Sequence, residues 1–161
     1  MSGGIPAPAA AAEALGSGWL EGVEHVLPIR VYYEDSDAAG IVDSANYLRF
    51  AERGRTEFLR LLGIDQTALR EREGLVFAVR RAEVDYFQPA RLDDAVEVRS
   101  RLVEVGGASV SALQRVLRGG RPLASLSVKV ACLFLADGRP ARLPLGVRQT
   151  LAPYCQPEVE E

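Results

Sequence analysis

The chain has 161 residues, the length of one ordinary domain, with 48% hydrophobic and 25% charged residues. That balance excludes a disordered or collagen-like chain, and no stretch approaches the roughly 20 apolar residues of a transmembrane helix. A net charge of −3 argues against a general nucleic-acid binder.

The first segment, residues 1–18, is rich in Gly, Ala, Pro and Ser and reads as a flexible tail. It has no basic start or unbroken apolar stretch of the kind a secretory signal carries, so a cytoplasmic setting is expected. Residues 19–150 are expected to form a single domain, and 151–161 a loose acidic tail. Order firms up in Leu27–Tyr33, a β-branched and aromatic run. An acidic loop follows. It leads into a long amphipathic helix whose apolar stripe is Tyr47, Phe50, Ala51, Gly54, Phe58, Leu61 and Leu62. Arg55 and Glu57 on this helix are expected to form intrahelical pairs.

Gly63 closes the long helix, and a short one runs from an Asp65 cap to Gly74. Val76–Arg80 and Ala82–Phe87 read as one bent strand stopped by Pro89. Ala95–Val105 alternates as a strand, and Gly106-Gly107 marks a turn into Ser109–Leu117. Gly119-Gly120 is a hairpin signal, and Leu123–Leu135 ends at Asp137-Gly138. One long helix and a meander of strands predict an α+β fold, a curved antiparallel β-sheet wrapped around a single central α-helix. One helix covers only part of such a sheet and long strands leave open edges, so a homo-oligomer is expected.

The chemistry is narrowed by what is missing. His25 is the only histidine and lies upstream of the first clear strand, which suggests a surface residue and a poor general base. Cys132 and Cys155 have neither metal-ligand nor redox spacing, so no metal site and no cofactor is expected. No phosphate-cradling glycine loop is present. Carboxylates, hydroxyls and backbone amides remain. Asp35 and Asp37 stand two apart, on one side of an extended segment, and Ala38-Ala39-Gly40 removes bulk beside them. Asp43 or Ser44 is expected to cap the helix, whose first amides can polarise a carbonyl oxygen. The competing reading is that these acids only cap and solubilise a loop.

The run Tyr32-Tyr33-Glu34-Asp35-Ser36-Asp37-Ala38-Ala39-Gly40-Ile41-Val42, with Ala45-Asn46-Tyr47 and Phe50-x-Glu52-x-x-Arg55-Thr56-Glu57, resembles the signature of hotdog-fold acyl-CoA thioesterases. It is most similar to the Tol-Pal-associated group within the 4-hydroxybenzoyl-CoA thioesterase family. The likeness continues through Val84-Asp85-Tyr86-x-x-Pro89-Ala90-Arg91-Leu92-Asp93-Asp94 and spans roughly residues 27–144. It implies hydrolysis of an acyl-CoA thioester, with the catalytic carboxylate on Asp37 as base or nucleophile and the polarising amide on Ser44. It also implies dimers, or pairs of dimers, sharing a continuous sheet.

Tyr47, Phe50 and Phe77 are then expected along the acyl group and Gly40, Ile41 and Val42 against the substrate, with Arg80, Arg81, Arg91 and Arg118 as candidate clamps on the CoA phosphates. The thioester could belong to CoA or to acyl carrier protein. The chain departs from its nearest group at Asp43-Ser44, where that group usually carries Tyr-His. A backbone donor survives the exchange; a histidine proton shuttle does not. A rival expectation is a non-catalytic acyl-binding module associated with the cell envelope.

Overall fold

The computed structural model describes residues 15–158; most of the expected amino-terminal tail and the last three residues lie outside that range. Six strands form one antiparallel sheet: β1 (Trp19–Glu21), β2 (Glu24–Arg30), β3 (Leu75–Tyr86), β4 (Ala95–Val105), β5 (Ser109–Arg118) and β6 (Arg121–Phe134). Their spatial order is β1-β2-β4-β5-β6-β3. The helices are α1 (Asn46–Leu61), α2 (Gln66–Glu73) and α3 (Leu145–Leu151). None of them is long and apolar enough to cross a membrane.

Local chemistry explains the elements. Apolar residues at three- and four-residue spacing give α1 one buried face, with Tyr47, Phe50, Ala51, Gly54 and Phe58 all inside. Gly63 has φ 81°, so the chain leaves the helix in the left-handed conformation that glycine tolerates. The Asp65 side chain then accepts the Ala68 amide at 3.0 Å and starts α2, which Gly74 ends. Gly119 and Gly120, both with positive φ, form the tight β5–β6 turn. The expected bend in β3 is a register shift between Val79 and Arg81 against β6.

The expectation of a curved sheet wrapped around one long central helix is corrected. The fold is a hotdog-like α+β arrangement whose sheet is open: β1 and β3 are two unjoined edges. Helical structure is divided among three segments, because Gly63 and Asp65 interrupt it after α1 and a further turn of helix forms at Leu145. α1 lies mainly on β2, β4 and β5 rather than across the whole sheet.

Two core clusters follow. One surrounds Phe50 with Leu27, Val98, Val116, Leu123 and Leu126; the other joins Phe58 to Leu75, Leu102, Cys132, Val147 and Leu151. Each fully buried side chain of this size contributes about 1.5–3 kcal/mol.

Three further expectations change. His25 is not a surface residue: it sits in β2, fully buried, with its ring stacked on Phe58 at 5.1 Å and its Nε2 2.6 Å from the Ser17 carbonyl oxygen. The carboxyl-terminal segment is packed as far as Gln156. Tyr154 meets Phe58 edge-on, and the Gln156 amide donates to the Leu102 carbonyl. Intrahelical pairing holds for Glu57, which meets Arg60 at 2.6 Å, but not for Arg55, whose described partner is Gln114 in β5.

Candidate active site

The acidic loop is a built structure. Tyr33–Asp35 form a 3-10 turn, and this turn separates the two aspartates expected to face the same way. Asp35 points inward and is buried, accepting the Tyr32 amide on Oδ2 at 2.9 Å and the Asn46 side-chain amide on Oδ1 at 2.9 Å. Asp37 points outward and is exposed. Its Oδ1 accepts the amides of Ala39 at 2.8 Å and Ile41 at 3.1 Å, while its backbone amide donates to the Ile41 carbonyl at 2.8 Å. A tight turn through Gly40, with φ 75°, makes these contacts possible.

Neighbouring segments fix the loop from both sides. The Val42 amide donates to the Ala90 carbonyl, and the Gly40 carbonyl accepts the Leu92 amide, both at 2.9 Å. Ile41 bridges to Arg91. The Tyr47 hydroxyl accepts the Ala90 amide at 2.9 Å, and the Tyr47 ring meets Tyr86 edge-on at 5.5 Å. Burial pushes the Tyr47 phenol up, partly opposed by that Ala90 bond. Beneath, burial works against ionisation of Asp94, but the Arg91 amide and the Arg118 guanidinium outweigh it and hold its carboxyl below the ordinary value.

The helix start differs from expectation. The residue at the cap position is Ala45, and neither Asp43 nor Ser44 caps α1 with its side chain. Asp43 holds the turn before it instead, its carbonyl accepting the Asn46 amide at 2.9 Å. Ser44 is exposed, and its carbonyl accepts the Tyr86 hydroxyl at 2.8 Å. Among the described residues its amide has no backbone acceptor. Chemically, the loop offers one exposed carboxylate on a rigid turn close in sequence to the positive end of a helix.

The best-formed cavity lies elsewhere, between the middle of α1 and strands β3 to β6. It measures about 350 Å³. Of the expected site residues only Phe77 lines it; Asp37, Gly40, Ile41, Val42, Ser44, Tyr47, Arg80 and Arg91 do not. Arg80 and Arg91 are exposed.

Sequence reasoning missed the Arg55 network beside this cavity. The Arg55 guanidinium donates to Gln114 Oε1 at 2.9 Å, and Gln114 Nε2 donates to the Ala51 carbonyl at 2.8 Å and to Ser100 Oγ at 2.9 Å. Gln114 and Ser100 are fully buried. The signal available was a lone Gln on the inward phase of an alternating strand. Among the described residues no three His, Cys, Asp or Glu side chains gather to hold a metal ion.

Comparison with known proteins agrees on kinship. Residues 31–151 match the family model described as the thioesterase-like superfamily. An acyl-CoA thioesterase YbgC of Haemophilus influenzae is 44% identical over 121 residues, which are 75% of this chain and 89% of that protein. An acyl-CoA thioester hydrolase YbgC of Escherichia coli is 40% identical over 121 residues, 74% of this chain and 90% of that one. Among solved structures, a probable thioesterase from Bartonella henselae superposes with a TM-score of 0.71 at 38% identity, over 75% of this chain and 99% of that one. A matching family model across most of the domain, on the fold just described, makes the chain a member of the thioesterase-like superfamily.

Proposed function

We propose that the chain hydrolyses acyl-CoA thioesters with Asp37 as its carboxylate and the Ser44 amide as the donor to the thioester carbonyl. The activity itself is that of its named relatives, and the chain is an acyl-CoA thioester hydrolase. The single observation that supports the residue assignment is the state of Asp37. One oxygen is pinned by two amides, which fixes the carboxylate, while the group as a whole stays exposed.

In this reading the Asp37 carboxylate takes a proton from water as the water oxygen bonds to the carbonyl carbon, or attacks that carbon itself. Negative charge grows on the carbonyl oxygen, where the Ser44 amide and the helix start stabilise it. The carbon–sulfur bond then breaks, and the CoA thiolate leaves and takes up a proton; where Asp37 itself attacked, water then cleaves the acyl–Asp37 anhydride, releasing the free acid and restoring the carboxylate. The acyl group lies along Gly40, Ile41, Val42 and Tyr47, and Arg80 and Arg91 meet the CoA phosphates; Phe77, nine residues from Tyr86 along β3, belongs to the cavity beside the middle of α1.

Two copies complete the unit in this proposal, paired along β3. That edge has twelve residues against three in β1, and its cations Arg80 and Arg81 precede its anions Glu83 and Asp85. Antiparallel pairing therefore sets charges of opposite sign against each other.

The test is turnover of short-chain, long-chain and aromatic acyl-CoAs by purified Asp37→Asn. Loss of a positioned general base lowers kcat by about 10²–10⁴. Asparagine keeps the Oδ1 acceptor, so the thermal midpoint should stay near that of the wild type. Wild-type turnover in this variant removes Asp37 from the mechanism. Tight binding with no turnover by the parent chain would favour an acyl-binding module.

A further inference from the structure

Arg55 presents a problem that the loop chemistry leaves unsolved. Its guanidinium carries five N–H donors and stays protonated in proteins, yet it forms no ion pair among the described residues; its one described partner is the neutral Gln114 oxygen. The side chain is half-buried, and burial works against its charge more than the nearby Glu52 favours it. Glu52 is exposed, outside ion-pair distance of Arg55. A half-buried cation whose nearest described carboxylate stays solvent-exposed and outside pairing distance is costly unless something pairs with it directly.

Arg55 lines the 350 Å³ cavity together with the exposed Glu52, and most of the remaining surface is apolar, Leu59, Phe77, Leu102 and Val110 among others. The cation is also held in place. Gln114 is anchored to the Ala51 carbonyl and Ser100, so Arg55 is braced by a fully buried chain of bonds and cannot swing freely. Helix and sheet are pressed together at this level, where a Cβ on Gly54 would stand 2.7 Å from Val98 Cγ1. An apolar cavity of about 150 Å³ admits benzene, so this one has room for roughly twice that bulk.

We infer that the cavity binds an apolar molecule ending in a carboxylate, with the anion on the Arg55 guanidinium and the chain or ring against Leu59, Phe77, Leu102 and Val110. A carboxylate matches the planar fork of donors and supplies the missing charge. A neutral chain of equal length leaves the guanidinium unpaired. Two sources have this chemistry: a free carboxylic acid, and the far end of a dicarboxylic acyl thioester. Asp37 does not line this cavity, so binding of a free acid there does not require that residue to be catalytic.

Calorimetric titration of the full chain with octanoate and with octanol decides the matter without turnover, so a failed loop mechanism would not disturb it. Octanoate should bind at least about tenfold more tightly than octanol. Arg55→Gln, which removes the charge and leaves a shorter polar side chain, should erase that preference while octanol binding persists. Ala112→Leu, which fills the cavity from β5, should weaken both.

Comparing kcat/KM for adipoyl-CoA and hexanoyl-CoA separates the sources. A tenfold preference for adipoyl-CoA that Arg55→Gln abolishes assigns the thioester's terminal acid; equal values, with octanoate still preferred, assign the free acid. Equal affinity for octanoate and octanol in the wild type, together with no adipoyl preference, overturns the inference whether or not the variants fold.

Discussion

The two polar assemblies on α1 use the same helix in opposite ways. At its amino-terminal end a carboxylate is held rigid and turned to solvent, with backbone amides as its only described partners. At its middle a guanidinium is held rigid beside a mostly apolar, partly open cavity, with buried side chains behind it. In both places the reactive group is braced at one side and free at the other. The difference is in the brace: a short loop makes the first, and three distant segments of chain make the second. A loop site can be altered by local substitutions with little effect on the core, whereas the mid-helix site is part of the core.

That contrast can be broken by experiment. The largest stability loss is expected for Asp35→Ala at the loop's inner anchor, which strands the buried Asn46 amide and the Tyr32 amide together. Denaturant titration should show a loss of about 3 kcal/mol, the upper range for hydrogen bonds to a charged acceptor. Asp37→Asn should show little or none, although it lies two residues away. Equal losses in the two variants would erase the division between anchor and working carboxylate.

Gly54→Ala comes next, because its Cβ would drive into Val98; overpacking here should cost about 2 kcal/mol, read as a lower denaturation midpoint. Unchanged stability would mean that helix and sheet are not tightly set at the Arg55 level. The smallest effect belongs to His25. Burial is the main cause that lowers its pKa, opposed by the Ser17 carbonyl and Glu57. A depressed histidine binds protons more readily in the unfolded chain, so its contribution is intact above about pH 6.5 and declines as pH falls below that value. His25→Phe should flatten this acid limb of the stability curve, and an unchanged limb would assign it to other groups.

Much of this architecture is written in short-range patterns. The alternation through Val96 and Val98 marks β4 over its full extent, and Asp65 and Gly74 bound α2, because caps and strand phase are local chemistry. β1 and α3 are too short to establish a period, three and seven residues, so only packing reveals them. The acidic loop was legible as a cluster but not in its orientation: Asp35 is held inward by Asn46, eleven residues on, whose side-chain amide donates to it. The Arg55 network was hidden for the same reason, since Gln114 lies 59 residues away. Why α1 leaves β3 and β6 largely to one side follows from how the sheet opens, which no single segment encodes.

The offset in β3 also decides which side chains that strand can place together. Before it, Leu75, Phe77 and Val79 pair with Phe134, Cys132 and Val130; after it, Ala82, Val84 and Tyr86 pair with Val128, Leu126 and Ala124. All of these partners are even-numbered, yet the β3 residues change from odd to even, so Arg80 is a spacer that reverses parity. One strand can thereby floor the cavity with Phe77 and still reach Ser44 with Tyr86. A twelve-residue strand without that bulge would put the two aromatic rings on opposite sides of the sheet, whereas removing Arg80 alone would leave an unbroken ladder with both on one side.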